Sequence, residues 1–254
     1  MSFTVTAYTD IGTTKNTNQD SVLFKHGRYQ GEEVLMAIVC DGMGGLSKGE
    51  LASATVIRAF SKWFDEELPK ELKNLDLEVV GGKWSLMLKD LNIDIIKYSQ
   101  NNNISMGTIF TGILFVGDKY VFAHVGDTRL YYITYNNLSQ LTQDQTFIAR
   151  EIKRGNMTLE QAKKDRRRNL LLQCVGASKI LEPEVVVGDY KKGVYMLCSD
   201  GFRHEISEKE IIESFNSNNL INKESMNSKI KYLVELVKQR NEKDNISVIL
   251  IKAD

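Results

Sequence analysis

The sequence has few of the residues that mark linkers, disulfides or thiolate metal sites. Of its 254 residues, only two are proline and three are cysteine. Cys40, Cys174 and Cys198 are odd in number and have no spacing typical of a metal site. Cys40 and Cys198 lie within apolar runs, so we expect buried, reduced thiols of a cytosolic protein. Because no Ser-, Gly- or Pro-rich linker divides the chain, we predict a single domain over residues 1–254.

Excess charge and long apolar runs are also missing. Lys and Arg together number 33, as do Asp and Glu, so the formal net charge is zero. This balance gives no reason to expect a nucleic-acid partner. No apolar run approaches the roughly 20 residues that span a membrane, and no basic segment followed by an apolar one opens the chain. We therefore expect a cytoplasmic protein without a membrane partner, and an apolar content of 42% indicates a substantial core.

Aspartates stand at the edges of apolar runs. Asp41 follows the run 34–40, which is typical of a buried strand, and three glycines follow it within four residues. The same relation to an apolar run recurs at Asp20, Asp127, Asp200 and Asp244. Any one of them could be a solvated turn residue, but strand ends can gather residues from distant parts of a chain. Since carboxylates and waters are the ligands that Mg²⁺ and Mn²⁺ prefer, the five together predict a divalent metal site.

Hydrophobic periodicity predicts an α+β fold with antiparallel sheet covered by helices. Strands are expected over residues 3–9, 21–24, 34–40, 109–116, 119–125, 129–134, 184–188, 194–199 and 246–251. Apolar stripes predict helices over 48–67, 84–99 and 225–239. Ser47 and Glu50 form a capping box that would open the first helix, and Gly117-Asp118 predicts a hairpin. Strands and helices do not alternate, which argues against a doubly wound fold.

An ordered set of motifs resembles one protein family. From Asp10 to Asn245 the chain contains D-x-G-x(5)-N-Q-D, DGMGG, MGT, GDTR, LTQD, SDG and DN. This series is similar to the metal-dependent serine/threonine phosphatases of the protein phosphatase 2C family, and the short chain and Met43 resemble its bacterial branch. The resemblance implies an α/β/β/α sandwich, in which two stacked antiparallel sheets are flanked by helices.

The resemblance also implies a binuclear metal centre that holds Mn²⁺ or Mg²⁺. Asp41 matches the carboxylate that bridges the two metals, and the carbonyl of Gly42 would complete the shell of the first. Asp200 and Asp244 match the ligands of the second metal. Several carboxylates are needed because two divalent cations close together repel each other, and a water bound between such cations loses a proton near neutral pH.

Other positions match the family or depart from it. Asp20 matches the acid that positions metal-bound waters, and Asp127 matches the ligand of a weaker third metal. Lys15 stands where the family usually has a phosphate-binding arginine, so the charge is kept but the bidentate fork is lost. His204 stands where an aspartate is common near the third metal; imidazole suits softer ions or could act as a general acid. Gln145 replaces a common histidine, and the sequence alone gives no physical reason for that change.

Residues 145–172 are the most charged segment of the chain. A basic run is usually a solvated surface, whereas in the family this segment is a flap beside the active site that touches the substrate protein. Thr158-Leu159-Glu160-Gln161-Ala162 predicts the first turn of a short helix within it. We therefore predict a flap insertion at about 145–172.

The family implies hydrolysis of phosphoserine and phosphothreonine on proteins by a metal-activated water. It further implies a monomer that opposes a Ser/Thr kinase. The alternative is a pseudophosphatase, which binds phosphoproteins or scaffolds a kinase without turnover; the intact acids Asp41, Asp200 and Asp244 speak against it. A metal-dependent nuclease is a third hypothesis, which the balanced charge and the lack of an aromatic and basic groove disfavour.

Overall fold

The computed structural model describes residues 2–43 and 48–254. Its strands are β1 (Phe3–Asp10), β2 (Ser21–Tyr29), β3 (Glu32–Gly42), β4 (Thr108–Val116), β5 (Lys119–Val125), β6 (Arg129–Ile133), β7 (Leu138–Gln140), β8 (Glu184–Asp189), β9 (Gly193–Cys198) and β10 (Ile246–Ala253). They form two five-stranded sheets, with strand orders β1-β10-β9-β6-β7 and β2-β3-β4-β5-β8. Each neighbouring pair in these orders is antiparallel.

Helices cover the outer face of each sheet. They are α1 (Gly49–Glu66), α2 (Leu68–Glu71), α3 (Leu77–Asn102), α4 (Phe147–Lys153), α5 (Leu159–Lys164), α6 (Asp200–Arg203), α7 (Glu208–Phe215) and α8 (Lys223–Gln239), with 3₁₀ turns at Leu72–Asn74 and Ser217–Asn219. Helices α1 and α3 pack on the sheet that contains β3, while α7 and α8 pack on the sheet that contains β9. The predicted α/β/β/α sandwich is confirmed.

The core consists of three apolar layers. Between the sheets, the rings of Phe115 and Tyr195 lie edge to face with centroids 4.9 Å apart. Outside one sheet, Phe60 of α1 meets Trp84 of α3 at 5.1 Å. Both faces of β3 are therefore covered, because alternate side chains of a strand point to opposite faces. This explains why the sequence of β3 is an almost unbroken apolar run rather than an alternating one.

Helix α3 begins earlier than the sequence predicted. It starts at Leu77 rather than at residue 84, because the Asp76 side chain caps it by accepting the backbone N–H of Glu78 at 2.9 Å. Gly81, in the first turns, made this start hard to recognise. A Cβ on Gly81 would lie 2.5 Å from Cγ1 of Val185, so the glycine lets the helix approach the sheet closely.

Strand β2 extends to Tyr29, five residues beyond the predicted end at residue 24, while the other predicted elements, apart from α3, agree with the structure to within a few residues. Val116 pairs with Lys119, so the predicted hairpin has a two-residue loop. The first loop residue, Gly117, has a left-handed backbone with a φ of +57°. Helix α5 follows its cap Thr158 with a capping box, as expected. Strand β7 and helices α2, α4, α6 and α7 were not predicted. The proposed cap Ser47 lies outside the described residues.

The sequence predicted buried, reduced cysteines and no membrane-spanning segment. Cys40 and Cys198 are buried free thiols, as their apolar runs predicted, and Cys174 is also buried and free. Within the described part of the chain, no helix is both long enough and apolar enough to cross a membrane.

Candidate metal centre

The sheet that contains β3 brings three of the five aspartates to one end of the sandwich. Asp20 immediately precedes β2 and Asp41 lies near the end of β3; these strands are antiparallel, with Ser21 opposite Cys40. Asp127 follows β5, which ends at the same edge because it runs antiparallel to β4. Antiparallel pairing places the start of one strand beside the end of its neighbour. The three acids therefore lie at the same edge of this sheet.

The other sheet contributes the remaining two aspartates. Asp200 follows β9 and Asp244 precedes β10, and these strands pair antiparallel with Val248 opposite Cys198. The turns after and before them are in close contact. A Cβ on Gly201 would lie 2.1 Å from the carbonyl oxygen of Asn245 and 3.3 Å from Cβ of Asp244. The glycine of the Ser-Asp-Gly motif is therefore required for this approach.

Asn245 joins the N-terminal loop to the end of the sandwich. Its side-chain oxygen accepts the backbone N–H of Gln19 at 2.9 Å, and its amide nitrogen donates to the carbonyls of Ile11 at 2.9 Å and Thr17 at 3.2 Å. The N–H of Gly42 in turn donates to the carbonyl of Gln19 at 3.1 Å. A Cβ on Gly42 would lie 2.5 Å from that same oxygen. The sequence indicated Asn245 as part of a motif but not this function.

The clustered carboxylates raise one another's pKa values. Burial raises the pKa of Asp41 well above its usual range, and the charges of four neighbours raise it further, namely Asp20, Asp200, Asp127 and Asp244. Burial, together with Asp200 and Asp244, raises the pKa of Asp20 to about 7. Burial and the charge of Asp200 raise the pKa of Asp127 to about 6. The arrangement is thus costly by itself and would be stabilised by cations.

The donor atoms fit a hydrated divalent ion. Oδ2 of Asp20 and Oδ1 of Asp200 are buried without a hydrogen-bond partner in the described residues, a condition that costs free energy unless something binds them. Over residues 2–43 and 48–254, no three carboxylate, imidazole or thiol groups are close enough to form a ready-made metal cage. Mg²⁺ keeps several waters and takes few carboxylates directly, so an open site of this kind suits it.

Lys15 is part of the same cluster. Its ammonium nitrogen lies 2.8 Å from Oδ1 of Asp244. Burial lowers the pKa of Lys15, but the hydrogen bond to Asp244 and the charges of Asp41 and Asp200 outweigh it, so the pKa is raised. The structure therefore brings together all the residues that the sequence singled out: Lys15, Asp20, Asp41, Gly42, Asp127, Asp200 and Asp244.

Two basic residues after Asp200 contact the acids, and the sequence did not predict their partners. Nη2 of Arg203 donates to the carbonyl of Asp127 at 3.0 Å and lies 3.4 Å from its Oδ2. Nδ1 of His204 lies 3.3 Å from Oε2 of Glu242, and Nε2 lies 3.6 Å from Oδ2 of Asp200. The hydrogen bond to Glu242 raises the pKa of His204 against the opposing effect of burial. His204 thus has a carboxylate on either side.

Gln145 holds the base of the segment 145–172 to the loop that carries Asp127. Its side-chain oxygen accepts the N–H of Gly126 at 2.8 Å and the amide of Gln173 at 2.7 Å. Its backbone N–H donates to the carbonyl of Gly126 at 2.7 Å. This network gives Gln145 the interpretation that the sequence lacked. A histidine could not make all of these side-chain bonds in the same way, since its acceptor is a single ring nitrogen.

A cavity of ≈ 1030 Å³ lies between the acids and the segment 145–172. Its floor includes Lys15, Asp127, Asp200 and Asp244. Its opposite wall is made of side chains from α4, α5 and the residues that follow them. The cluster of acids therefore opens into a cleft that the segment 145–172 borders.

Known proteins have the same architecture and similar sequence. The structure of a serine/threonine phosphatase from S. agalactiae superimposes with a TM-score of 0.86 at 25% identity, covering 100% of both chains. The catalytic domain of the serine/threonine protein phosphatase PstP, solved in complex with two manganese ions, gives a TM-score of 0.77 at 27% identity, covering 98% of this chain and 97% of that one. The fold is therefore that of structures described as bacterial serine/threonine phosphatases.

The sequence comparisons place the chain within this class. The family model described as Protein phosphatase 2C matches residues 13–250. The chain belongs to the protein phosphatase 2C family. PstP from Mycobacterium tuberculosis is 30% identical over 247 residues, which are 96% of this chain and 44% of the relative. The chain thus spans less than half the length of that curated relative.

Proposed function

We propose that the chain hydrolyses phosphoserine and phosphothreonine on proteins at a binuclear Mn²⁺ or Mg²⁺ centre. The observation that carries the proposal is the gathering of five aspartates at one end of the sandwich, where two buried carboxylate oxygens have no partner in the described residues. A scaffold that only binds phosphoproteins has no physical need to hold these mutually repelling charges together.

The acids have distinct proposed roles. Asp41 and the Gly42 carbonyl would hold the first cation, with Asp41 shared between both, and Asp200 and Asp244 would hold the second. Asp20, buried between the sheets' ends, would orient water. When bound, the cations supply charge neutralisation and lower the pKa of water, which makes hydrolysis possible without a serine or cysteine nucleophile.

Lys15 and Asp127 complete the proposed site. The ammonium of Lys15 faces the cavity beside Asp244, so it can bind a phosphoryl oxygen as a point charge. Asp127 would hold a third, weakly bound cation. Its ion pair with Arg203 would compete with such a cation, because both use the same carboxylate.

Hydrolysis of p-nitrophenyl phosphate tests the proposal. We expect turnover with Mn²⁺, and with Mg²⁺ to a similar or lower rate, and none after chelation and dialysis. Asp41→Asn and Asp200→Asn should lower turnover by several orders of magnitude, because the cations lose a compensating charge. Turnover that survives thorough chelation would contradict the metal centre. Failure of the metal-loaded protein to hydrolyse any phosphoester would favour the pseudophosphatase.

We further propose a cytoplasmic monomer that acts on phosphoproteins made by a Ser/Thr kinase. Buried free thiols at Cys40, Cys174 and Cys198 are compatible with a reducing compartment. Light scattering of the purified protein tests the oligomeric state. Phosphoproteomics of a deletion strain identifies candidate substrates as the sites that accumulate phosphate, and the kinase is the one whose deletion removes phosphate from the same sites.

A further inference from the structure

The segment 145–172 divides its charged side chains between two faces. Nitrogens of Arg150 and Arg154 lie 3.1 and 3.6 Å from Oε1 of Glu151. Arg167 lies 2.8 Å from Oδ2 of Asp165. None of these five residues lines the cavity above the acids. The arginines that already have acidic partners therefore do not face the cavity.

The inner face of the segment carries cations without acids. Lys153, Lys163 and Arg168 line the cavity, and no acidic residue of 145–172 does. None of the three is in an ion pair with any residue that the structure describes. Lys153 donates to the side-chain oxygen of Gln143 at 3.0 Å, while the side chains of Lys163 and Arg168 make no hydrogen bond with the described residues. Lys163 and Arg168 therefore give this wall of the cleft positive charge that no described acid pairs with, whereas the charge of Lys153 also acts on Glu184, where it opposes the rise in the pKa of that carboxyl.

The acids on the floor of the cleft determine which part of a substrate would lie next to this wall. A phosphorylated side chain that reaches Asp200 and Asp244 leaves its peptide backbone in the space between the floor and the segment. Residues next to the phosphorylated one would then face Lys153, Lys163 and Arg168. Opposite charges that meet across a binding surface contribute mainly to specificity and to the rate of encounter.

We propose that the enzyme prefers phosphopeptides with anionic groups next to the phosphorylated residue. This inference rests on the proposed phosphatase function and names its substrate class. The anionic groups are side-chain carboxylates or a second phosphate, since both offer oxygens to the same three cations. Neutral or basic flanking residues would leave the three cations without partners or repel them.

Matched peptides test the preference. Three peptides contain one phosphothreonine each, flanked by glutamates in the first, by glutamines in the second and by lysines in the third. A fourth peptide has glutamine flanks and a second phosphothreonine. The expected order of kcat/KM is acidic or doubly phosphorylated, then neutral, then basic. We expect about a tenfold ratio of acidic to neutral at low salt, as for a few exposed ion pairs. The ratio should fall as salt is added, and the difference should lie in KM.

The chain supplies a matched control for the cations. Lys163→Gln with Arg168→Gln should lower the acidic-to-neutral ratio to well below that of the unaltered protein, since only Lys153 then remains on this wall. Lys164→Gln with Arg166→Gln removes the same charge from exposed positions of the same segment that do not line the cavity. This second pair should keep the ratio of the unaltered protein. If both double variants lose the preference equally, the effect is one of overall charge and the proposal is wrong.

The failure of this inference is distinguishable from failure of the proposed function. Equal kcat/KM for all four peptides, with Mn²⁺-dependent hydrolysis of p-nitrophenyl phosphate intact, would overturn the inference alone. Preference for the doubly phosphorylated peptide without preference for glutamates would restrict the anionic group to phosphate. No hydrolysis of any substrate would overturn the phosphatase function, and the anion preference would fall with it.

Discussion

The ammonium nitrogen of Lys15 lies 2.8 Å from Oδ1 of Asp244. A residue proposed to bind phosphate is thus paired with a residue proposed to bind a metal, although they are far apart in the sequence. A cation that binds Asp244 must share this carboxylate with Lys15 or displace it. The pair therefore connects substrate binding with metal binding.

Loss of the Lys15 charge is expected to affect substrate and metal in opposite directions. Lys15→Met should raise KM for a phosphopeptide by up to about fivefold, since exposed ion pairs contribute ~1 kcal/mol or less, and change kcat less. It should lower the Mn²⁺ concentration for half-maximal rate, because Asp244 is released. Lys15→Arg should lower KM through its fork.

Steady-state kinetics against Mn²⁺ and peptide concentration check this prediction. Lys243→Met is a suitable control, because Lys243 lines the same cavity and is not in an ion pair with any described residue. Equal effects of Lys15→Met and Lys243→Met would show that only net charge matters and that the contact with Asp244 has no special function.

Replacement of Asp41 is expected to lower activity and to raise the stability of the metal-free protein. The charges around Asp41 disfavour its ionised form, which burial also opposes. Asp41→Asn should abolish turnover and yet raise the melting temperature of the metal-free protein at pH 8. A gain of ~1 kcal/mol corresponds to about 2–4 °C in a domain of this size. Calorimetry in the presence of chelator measures the melting temperature. Asp94 is an exposed aspartate of α3, so the control Asp94→Asn should change neither turnover nor melting temperature. An unchanged or lower melting temperature for Asp41→Asn would show that repulsion at the site is weak.

Asp127 and His204 are expected to govern a third metal rather than folding. Asp127→Ala should keep two tightly bound cations and the melting temperature but lose most activity. His204→Asp should lower the Mg²⁺ concentration for half-maximal rate, because a carboxylate suits Mg²⁺ better than imidazole does. It should also lower the metal-free melting temperature, since the new charge faces Asp200 and Glu242. Superimposable Mg²⁺ titrations of all three proteins would exclude a functional third site.

His124 is expected to make stability depend on pH. Nδ1 lies 2.8 Å from the Thr111 hydroxyl and Nε2 lies 3.2 Å from the Gln143 carbonyl, and burial lowers the pKa of His124 to about 4. An unfolded histidine titrates near 6.5, so the unfolded state binds the proton first. The stabilising contribution is full above about pH 6.5 and is lost as pH falls towards 4, with a limiting slope of about 1.4 kcal/mol per pH unit.

Urea unfolding of the metal-free protein between pH 7.5 and 5 measures this dependence. His124→Asn removes the titrating group, so its free energy of unfolding should fall less steeply with decreasing pH than that of the unaltered protein. The carboxylates titrate in both proteins, so their contributions to the pH dependence cancel in the comparison. Parallel pH profiles would mean that the ring is protonated in the folded state or that it is not buried.

Local sequence predicted nine of the ten described strands, all except β7, and the acids at their ends. Asp41 could be recognised because residues 34–40 are apolar without interruption, which in turn reflects a strand covered on both faces. The capping residues of α5 and the hairpin at Gly117 were equally local, since caps and tight turns depend on residues within a few positions of one another. The start of α3 was missed because the same local reasoning counts Gly81 against a helix.

Only the tertiary structure decided which side chains meet. The pairs Arg203 with Asp127 and His204 with Glu242 join residues 76 and 38 positions apart, and no periodicity carries information about such contacts. The separation of paired and unpaired cations on 145–172 likewise depends on how α4 and α5 lie against the floor of the cleft. Sequence pattern reports what each short segment buries; contacts between segments depend on their packing, which the whole chain determines.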